Sequence, residues 1–177
     1  MYFSQFEQGY YDLKGDGNEK LVTDLMTRVK VRAKIIDEAS LYDKYDVPSG
    51  ERPEDTAFKH FGSAQYHWVI LMTNNITDAF YEWPMSEQTF ETFLEDKYTN
   101  PGAIHHYEVT QSSGITKAQG PEDYSYLIEV NSDAAGAQSI SNREYEQRIQ
   151  DKKRSIQLLS PSYLNTFLEE FNELVRT

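Results

Sequence analysis

The chain has 177 residues, 17 basic against 29 acidic side chains, a formal net charge of −12, and no cysteine. That acid excess argues against nucleic-acid phosphates and anionic membrane surfaces as partners, and the missing thiols exclude a disulfide framework and any cysteine-based metal site. Hydrophobic residues make up 38%, but 13 Tyr and 9 Phe still give enough aromatic surface for a core and for protein–protein contact.

The first residues show no basic stretch followed by an apolar run, so no signal peptide is expected. The longest apolar stretch, 68–72, is far short of the roughly 20 residues that span a bilayer. Folding in a reducing host cytoplasm is the expectation.

Residues 1–20 read as an extended arm and then a loop, with the turn cluster Lys14-Gly15-Asp16-Gly17-Asn18. The loop lacks the acidic spacing and distal Glu of a calcium loop. Thr23 to Met26 starts as a short helical turn. Arg28, Lys30, Arg32 and Lys34 then alternate with Val29, Val31, Ala33 and Ile35, the period of a half-buried strand with one cationic face. That face is either solvated or a docking stripe for an acidic partner.

Residues 41–47 form a second predicted strand, and Pro48-Ser49-Gly50 a turn. Arg52-Pro53-Glu54-Asp55 opens a helix, since proline at the first turn sacrifices no hydrogen bond. Ala57, Phe58 and Phe61 mark its apolar face, and Gly62 stops it. Residues 63–73 are a second helix with Tyr66, Trp68, Val69 and Ile70 inward, ended by Asn74-Asn75. Tyr81-Glu82-Trp83-Pro84 reads as a short strand or an extended segment. Ser86 caps a third helix over 87–98, carried by Phe90, Phe93 and Leu94.

After a break at 100–102, residues 104–111 and 124–130 are expected to pair as a hairpin. Residues 131–142 read as a surface loop, 143–151 as a charged helix and 153–159 as a strand. Ser160-Pro161 starts a final amphipathic helix with Leu164, Phe167, Leu168, Phe171, Leu174 and Val175 at helical spacing. This helix packs on its own domain or lends part of its stripe, Phe167 and Phe171, to a neighbour.

Nothing in the sequence assembles a reaction centre. His60 and His67 lack the close helical pairing and third ligand of a metal site, and His105-His106 alternate across a strand. No nucleophile elbow, phosphate-cradling loop or dinucleotide fingerprint occurs. The expectation is therefore a chain with no catalytic residues, no cofactor, no metal and no small-molecule substrate.

Residues 45–83 resemble a LysM module through Tyr45, Val47, Gly50, Ala57, Phe61-Gly62, Trp68, Leu71 and Asn74. A wider set is similar to the baseplate wedge protein 53 family of T4-like contractile phages. It comprises Arg52-Pro53-Glu54, Phe61-Gly62, Tyr66-His67-Trp68-Val69-Ile70-Leu71-Met72, Asn74-Asn75 and Tyr81 with Trp83. It extends back through Thr23-Asp24-Leu25 and the basic strand, and returns at Ile156-Gln157-Leu158-Leu159 and in the last helix through Asn165, Phe167 and Leu168. Residues 100–150 match least.

The resemblance implies an α+β fold: a small LysM-like βααβ core with added strands, a hairpin and a C-terminal amphipathic helix. It suggests an arm and basic edge strand over 1–40, the LysM-like core and following helix over 41–98, a hairpin elaboration over 99–152, and a terminal strand and helix over 153–177. It also implies a structural virion subunit that joins neighbouring wedges into the baseplate ring, touching wedge protein 6-like and wedge protein 25-like subunits. LysM modules also bind peptidoglycan or chitin, so Tyr81 and Trp83 stacking on sugar rings is the alternative role.

Overall fold

The computed structural model describes residues 2–26, 29–31, 40–111 and 126–175. These fall into two compact units, 1–84 with 153–177, and 85–152. The fold is mixed helix and sheet, as the α+β expectation has it.

In the first unit, a 3-10 turn at Tyr2–Gln5 leads into β1 (Gln8–Tyr11) and β2 (Lys20–Thr23), an antiparallel hairpin. The start of the chain is thus no loose arm, because Phe6 is buried and Tyr2 packs against it. The hairpin loop is organised by Asp12, whose carboxylate accepts the backbone N–H groups of Lys14, Gly15 and Gly17. The helical turn expected at Thr23 to Met26 does not form. Thr23 ends β2, and the Asp24 carboxylate accepts the Met26 N–H in a local turn, the competing bond that keeps aspartate out of helices.

Of the cationic stretch, only residues 29–31 are described. Val29 and Val31 are half-buried while Lys30 is exposed, without a regular strand. Arg28, Arg32 and Lys34 lie outside the described residues.

β3 (Tyr42–Asp46) is followed by α1 (Pro53–Phe61), a 3-10 turn at Ala64–Tyr66 and α2 (His67–Thr73). The α1 start works as read: the Asp55 carboxylate accepts the Arg52 N–H, and Pro53 takes the first helical position. Gly62 closes it at φ 76°, a left-handed conformation open to glycine at little cost. Phe58, expected inward, is exposed instead. Thr56 holds the buried arc beside Ala57, its hydroxyl donating to Glu51 at 2.7 Å.

A strand or extended segment is expected at Tyr81 to Pro84; Trp83 is extended, at φ −76° and ψ 146°, but no strand forms in this segment. α3 (Ala79–Glu82) occupies it, started by Asp78, whose carboxylate accepts the Phe80 N–H. The partner of β3 is β7 (Ser155–Leu159), antiparallel from Tyr42↔Leu159 to Asp46↔Ser155. A strand–helix–helix–strand order therefore exists, but a strand from beyond the whole 85–152 unit closes it.

The apolar side chains of β7 divide between two clusters. Leu159 joins Phe6, Tyr42, Trp68, Val69, Leu164, Phe171 and Val175, whereas Ile156 and Leu158 join Val47, Ala57, Ile70 and Trp83. α2 likewise serves both, through Trp68 and Val69 on one side and Ile70 on the other. Each such side chain fully removed from water contributes roughly 1.5–3 kcal/mol. A final 3-10 turn at Pro161–Tyr163 leads to α6 (Leu164–Val175), which lays Leu164, Phe171 and Val175 on the first cluster.

The second unit contains α4 (Glu87–Lys97), capped by the Ser86 hydroxyl, and a sheet ordered β5-β4-β6. β4 (Ile104–Gln111) and β5 (Tyr126–Val130) pair as expected. β6 (Gln138–Ser141) arises inside the segment read as a loop, burying Ile140. α5 (Asn142–Arg154) turns polar residues inward: Glu146 and Gln150 are its buried side chains. Glu146 accepts from Lys97 at 2.6 Å and Tyr98 at 2.7 Å, and Arg148 grips Glu108 of β4 through two bonds of 2.8 and 2.9 Å. This unit includes the helix over 87–97, which the sequence reading grouped with the LysM-like segment.

Candidate interaction surfaces

The residues that carry the family resemblance fall mainly into structural positions. Tyr45, Arg52, Phe61, Trp68 and Asn74 build the first unit's interior and its joints. Gly50 lies at φ 78°, the turn before α1. Leu71 packs at the edge of the second cluster. Asn74 ends α2 and reaches β7: its amide nitrogen donates to the Gln157 carbonyl at 2.7 Å, and its side-chain oxygen accepts the Gln157 N–H at 2.8 Å. One side chain thus behaves as a strand residue would.

Glu51 is the polar centre of this unit. Its carboxylate accepts from Tyr45 at 2.9 Å, Thr56 at 2.7 Å and Lys59 at 2.5 Å, and its carbonyl accepts the Trp83 indole N–H at 2.8 Å. Burial pushes the Glu51 carboxyl upward, but donation by Lys59, Thr56 and Tyr45 outweighs it and holds the carboxyl below its ordinary value. A depressed folded-state pKa contributes stability in full above the unfolded value of about 4.3, and loses it as pH falls through the folded pKa. Denaturation midpoints should therefore drop on acidification below that value. In Glu51→Gln this part of the acid slope should be missing, checked by urea titrations across the acidic range.

Trp83 is only 6% exposed, with its ring in the second cluster and its N–H committed to Glu51. It therefore presents no open face to a sugar. Tyr81 is exposed next to Phe80, their rings edge to face at 5.0 Å. Phe171, taken in the sequence as a partner contact, is 2% exposed and sits 4.8 Å from the Trp68 ring. It is occupied inside its own unit. Phe167 packs at the edge of the same cluster, 6.1 Å from Trp68.

The histidines serve local structure. His60 bonds the Leu159 carbonyl at 2.8 Å, His67 the Ala64 carbonyl at 3.0 Å, and His105 its neighbour His106 at 2.8 Å while stacking on Tyr145.

The surface that sequence reading missed is the β1–β2 hairpin. Tyr10, Tyr11, Leu21 and Val22 are all exposed, as are Leu13 in its loop and Leu25 and Met26 beyond it. The signal was present as two short apolar pairs flanking a Gly/Asp turn cluster, a hairpin pattern.

Comparison with known proteins locates this arrangement. The curated relatives include the baseplate wedge protein gp53 of Enterobacteria phage T4, 27% identical over 143 residues, covering 75% of this chain and 71% of that protein. Residues 1–114, reaching from the exposed hairpin into the second unit, match the family described as Base plate wedge protein 53. The chain belongs to that family and is a structural component of the phage tail baseplate.

Proposed function

We propose that this chain joins neighbouring baseplate wedges into a closed ring by protein–protein contact, without catalysing a reaction. The observation that carries the reading is the family match over residues 1–114, which takes in the hairpin, the cationic stretch and the strand–helix–helix segment. The β3-α1-α2-β7 assembly is read as a LysM-like clamp, rigid because Trp68, Asn74 and Glu51 tie its elements together. Wedge protein 6-like and wedge protein 25-like subunits are the proposed neighbours. Arg28, Lys30, Arg32 and Lys34 supply a cationic stripe for an acidic partner surface, with Phe167 at the edge of the α6 contact.

Two measurements test this. Phage lacking the chain should accumulate separate wedges and few closed rings in electron micrographs of lysates. Reversing Arg28, Lys30, Arg32 and Lys34 to glutamate should reproduce that defect, with thermal melting of the isolated variant showing that it still folds; Lys30, the described residue of the four, is solvent-exposed. Ring closure through these charges should also weaken as salt is raised. Normal rings from the reversed variant would remove the stripe from the mechanism. Normal rings without the chain would remove the mechanism itself.

A further inference from the structure

The β1–β2 hairpin is a sheet left incomplete. An isolated two-stranded hairpin is marginal in water, and this one leaves apolar side chains exposed on both faces: Tyr10 is 73% and Leu21 55% exposed on one, Tyr11 58% and Val22 43% on the other. Its hydrogen-bond phase can be read from the ladder. The Asp24 N–H donates to the Glu7 carbonyl, so 7 with 24, 9 with 22 and 11 with 20 are the bonded pairs. Gln8 and Tyr10 on one strand, and Leu21 and Thr23 on the other, then turn their N–H and C=O groups outward. Among the described residues no further strand pairs with either edge. An exposed apolar edge of this kind is a template for strand addition.

The charges say what kind of strand fits. Residues 7–24 carry Glu7, Asp12, Asp16, Glu19 and Asp24 against Lys14 and Lys20. A second copy carries one basic alternating stretch, 28–35, but Val29 in it already packs against that copy's own first cluster, and its hairpin would bring the same acidic segment on a chain of net charge −12, where like charges across an interface oppose association. A basic segment with apolar residues at alternate positions meets both the flanking carboxylates and the Tyr10 and Leu21 side chains.

We propose that an edge of the β1–β2 hairpin takes up an extended, basic segment of a different baseplate polypeptide as an added strand. This rests on the baseplate reading and specifies one joint within it.

Hydrogen–deuterium exchange on the isolated chain and on purified tails, with zero-length carbodiimide cross-linking of the tails, tests it. In the isolated chain the outward amides of Gln8, Tyr10, Leu21 and Thr23 should exchange fast. In tails one edge pair should slow at least tenfold, and Glu7, Glu19 or Asp24 should couple to lysines of another polypeptide. Tyr10→Pro and Leu21→Pro each delete an outward N–H without removing a hairpin bond. The one on the used edge should cut incorporation into tails about tenfold, and Tyr10→Val or Leu21→Val should restore it. Outward amides that stay fast in tails containing the chain would overturn the added strand and leave the baseplate reading intact, as would coupling only to a second copy. A chain absent from tails would overturn both.

Discussion

Trp68→Ala is expected to destabilise the chain by about 3–5 kcal/mol, the range for emptying an aromatic site in a packed core. Trp68 is 7% exposed, and its ring lies 5.3 Å from Tyr2, 4.8 Å from Phe171 and 6.1 Å from Phe167. Those neighbours are Tyr2 and two residues of α6, so the cavity would open where the first 3-10 turn and α6 meet α2. Collapse cannot fill it easily, because Phe6, Val69 and Leu159 are already packed around it. Limited proteolysis should therefore release the N-terminal segment and α6 earlier in the variant. Urea denaturation followed by fluorescence reads the stability, since Trp83 remains as the sole indole. Trp68→Phe should recover part of the loss. A variant within about 1 kcal/mol of the parent would show that Tyr2 and α6 are held by something other than this ring.

What the sequence disclosed follows from which interactions are local. Cap chemistry acts within one turn, and so the starts at Pro53 and Glu87 and the stop at Gly62 were legible. The amphipathic spacing of the last helix was equally plain, and Leu164, Phe171 and Val175 do face inward. Its role was harder to read: Phe171 of the stripe lies against Trp68, whereas Leu174 of the same stripe stays exposed. Side-chain spacing reports that a face will be buried, and says nothing of which surface buries it.

The misreadings share a different cause. Tyr81 and Trp83 have the aromatic character of strand residues, but Asp78 starts a helical turn there and Glu82 folds back to accept the Thr77 and Asp78 N–H groups. β6 contributes one buried apolar residue, Ile140, too little alternation to rise above a Ser/Ala/Gly background. The pairing of β3 with β7 joins residues more than a hundred positions apart, and nothing in either strand names the other. The 85–152 unit lies between them in sequence, so the closing strand could be recognised as a strand but not assigned its place. The hairpin now proposed as a docking edge was hidden for the converse reason. Its strands are four residues each and bury almost nothing, leaving no periodic contrast between faces.

Asn74→Ala is expected to cost about 2–4 kcal/mol, more than its size suggests. The side chain makes four hydrogen bonds: its amide donates to the Gln157 and Ile70 carbonyls and, at 3.5 Å, to the Thr73 hydroxyl, and its oxygen accepts the Gln157 N–H. A typical bond contributes about 0.5–1.5 kcal/mol, but leaving a buried backbone group unpaired costs about 1–3 kcal/mol. Alanine would strand both the N–H and the C=O of Gln157 in the middle of β7. Because β7 is the strand that closes the β3 pair, the damage should propagate along that ladder and leave the β4–β5 pairing of the other unit unchanged. Amide exchange separates the two outcomes: faster exchange at 155–159 and 42–46 with constant rates at 107–110 fits the local role. Asn74→Asp should be no remedy, since a carboxylate cannot donate to either carbonyl. If alanine at this position left β7 exchange untouched, the amide would be decorating a joint that packing of Ile156, Leu158 and Leu159 already holds.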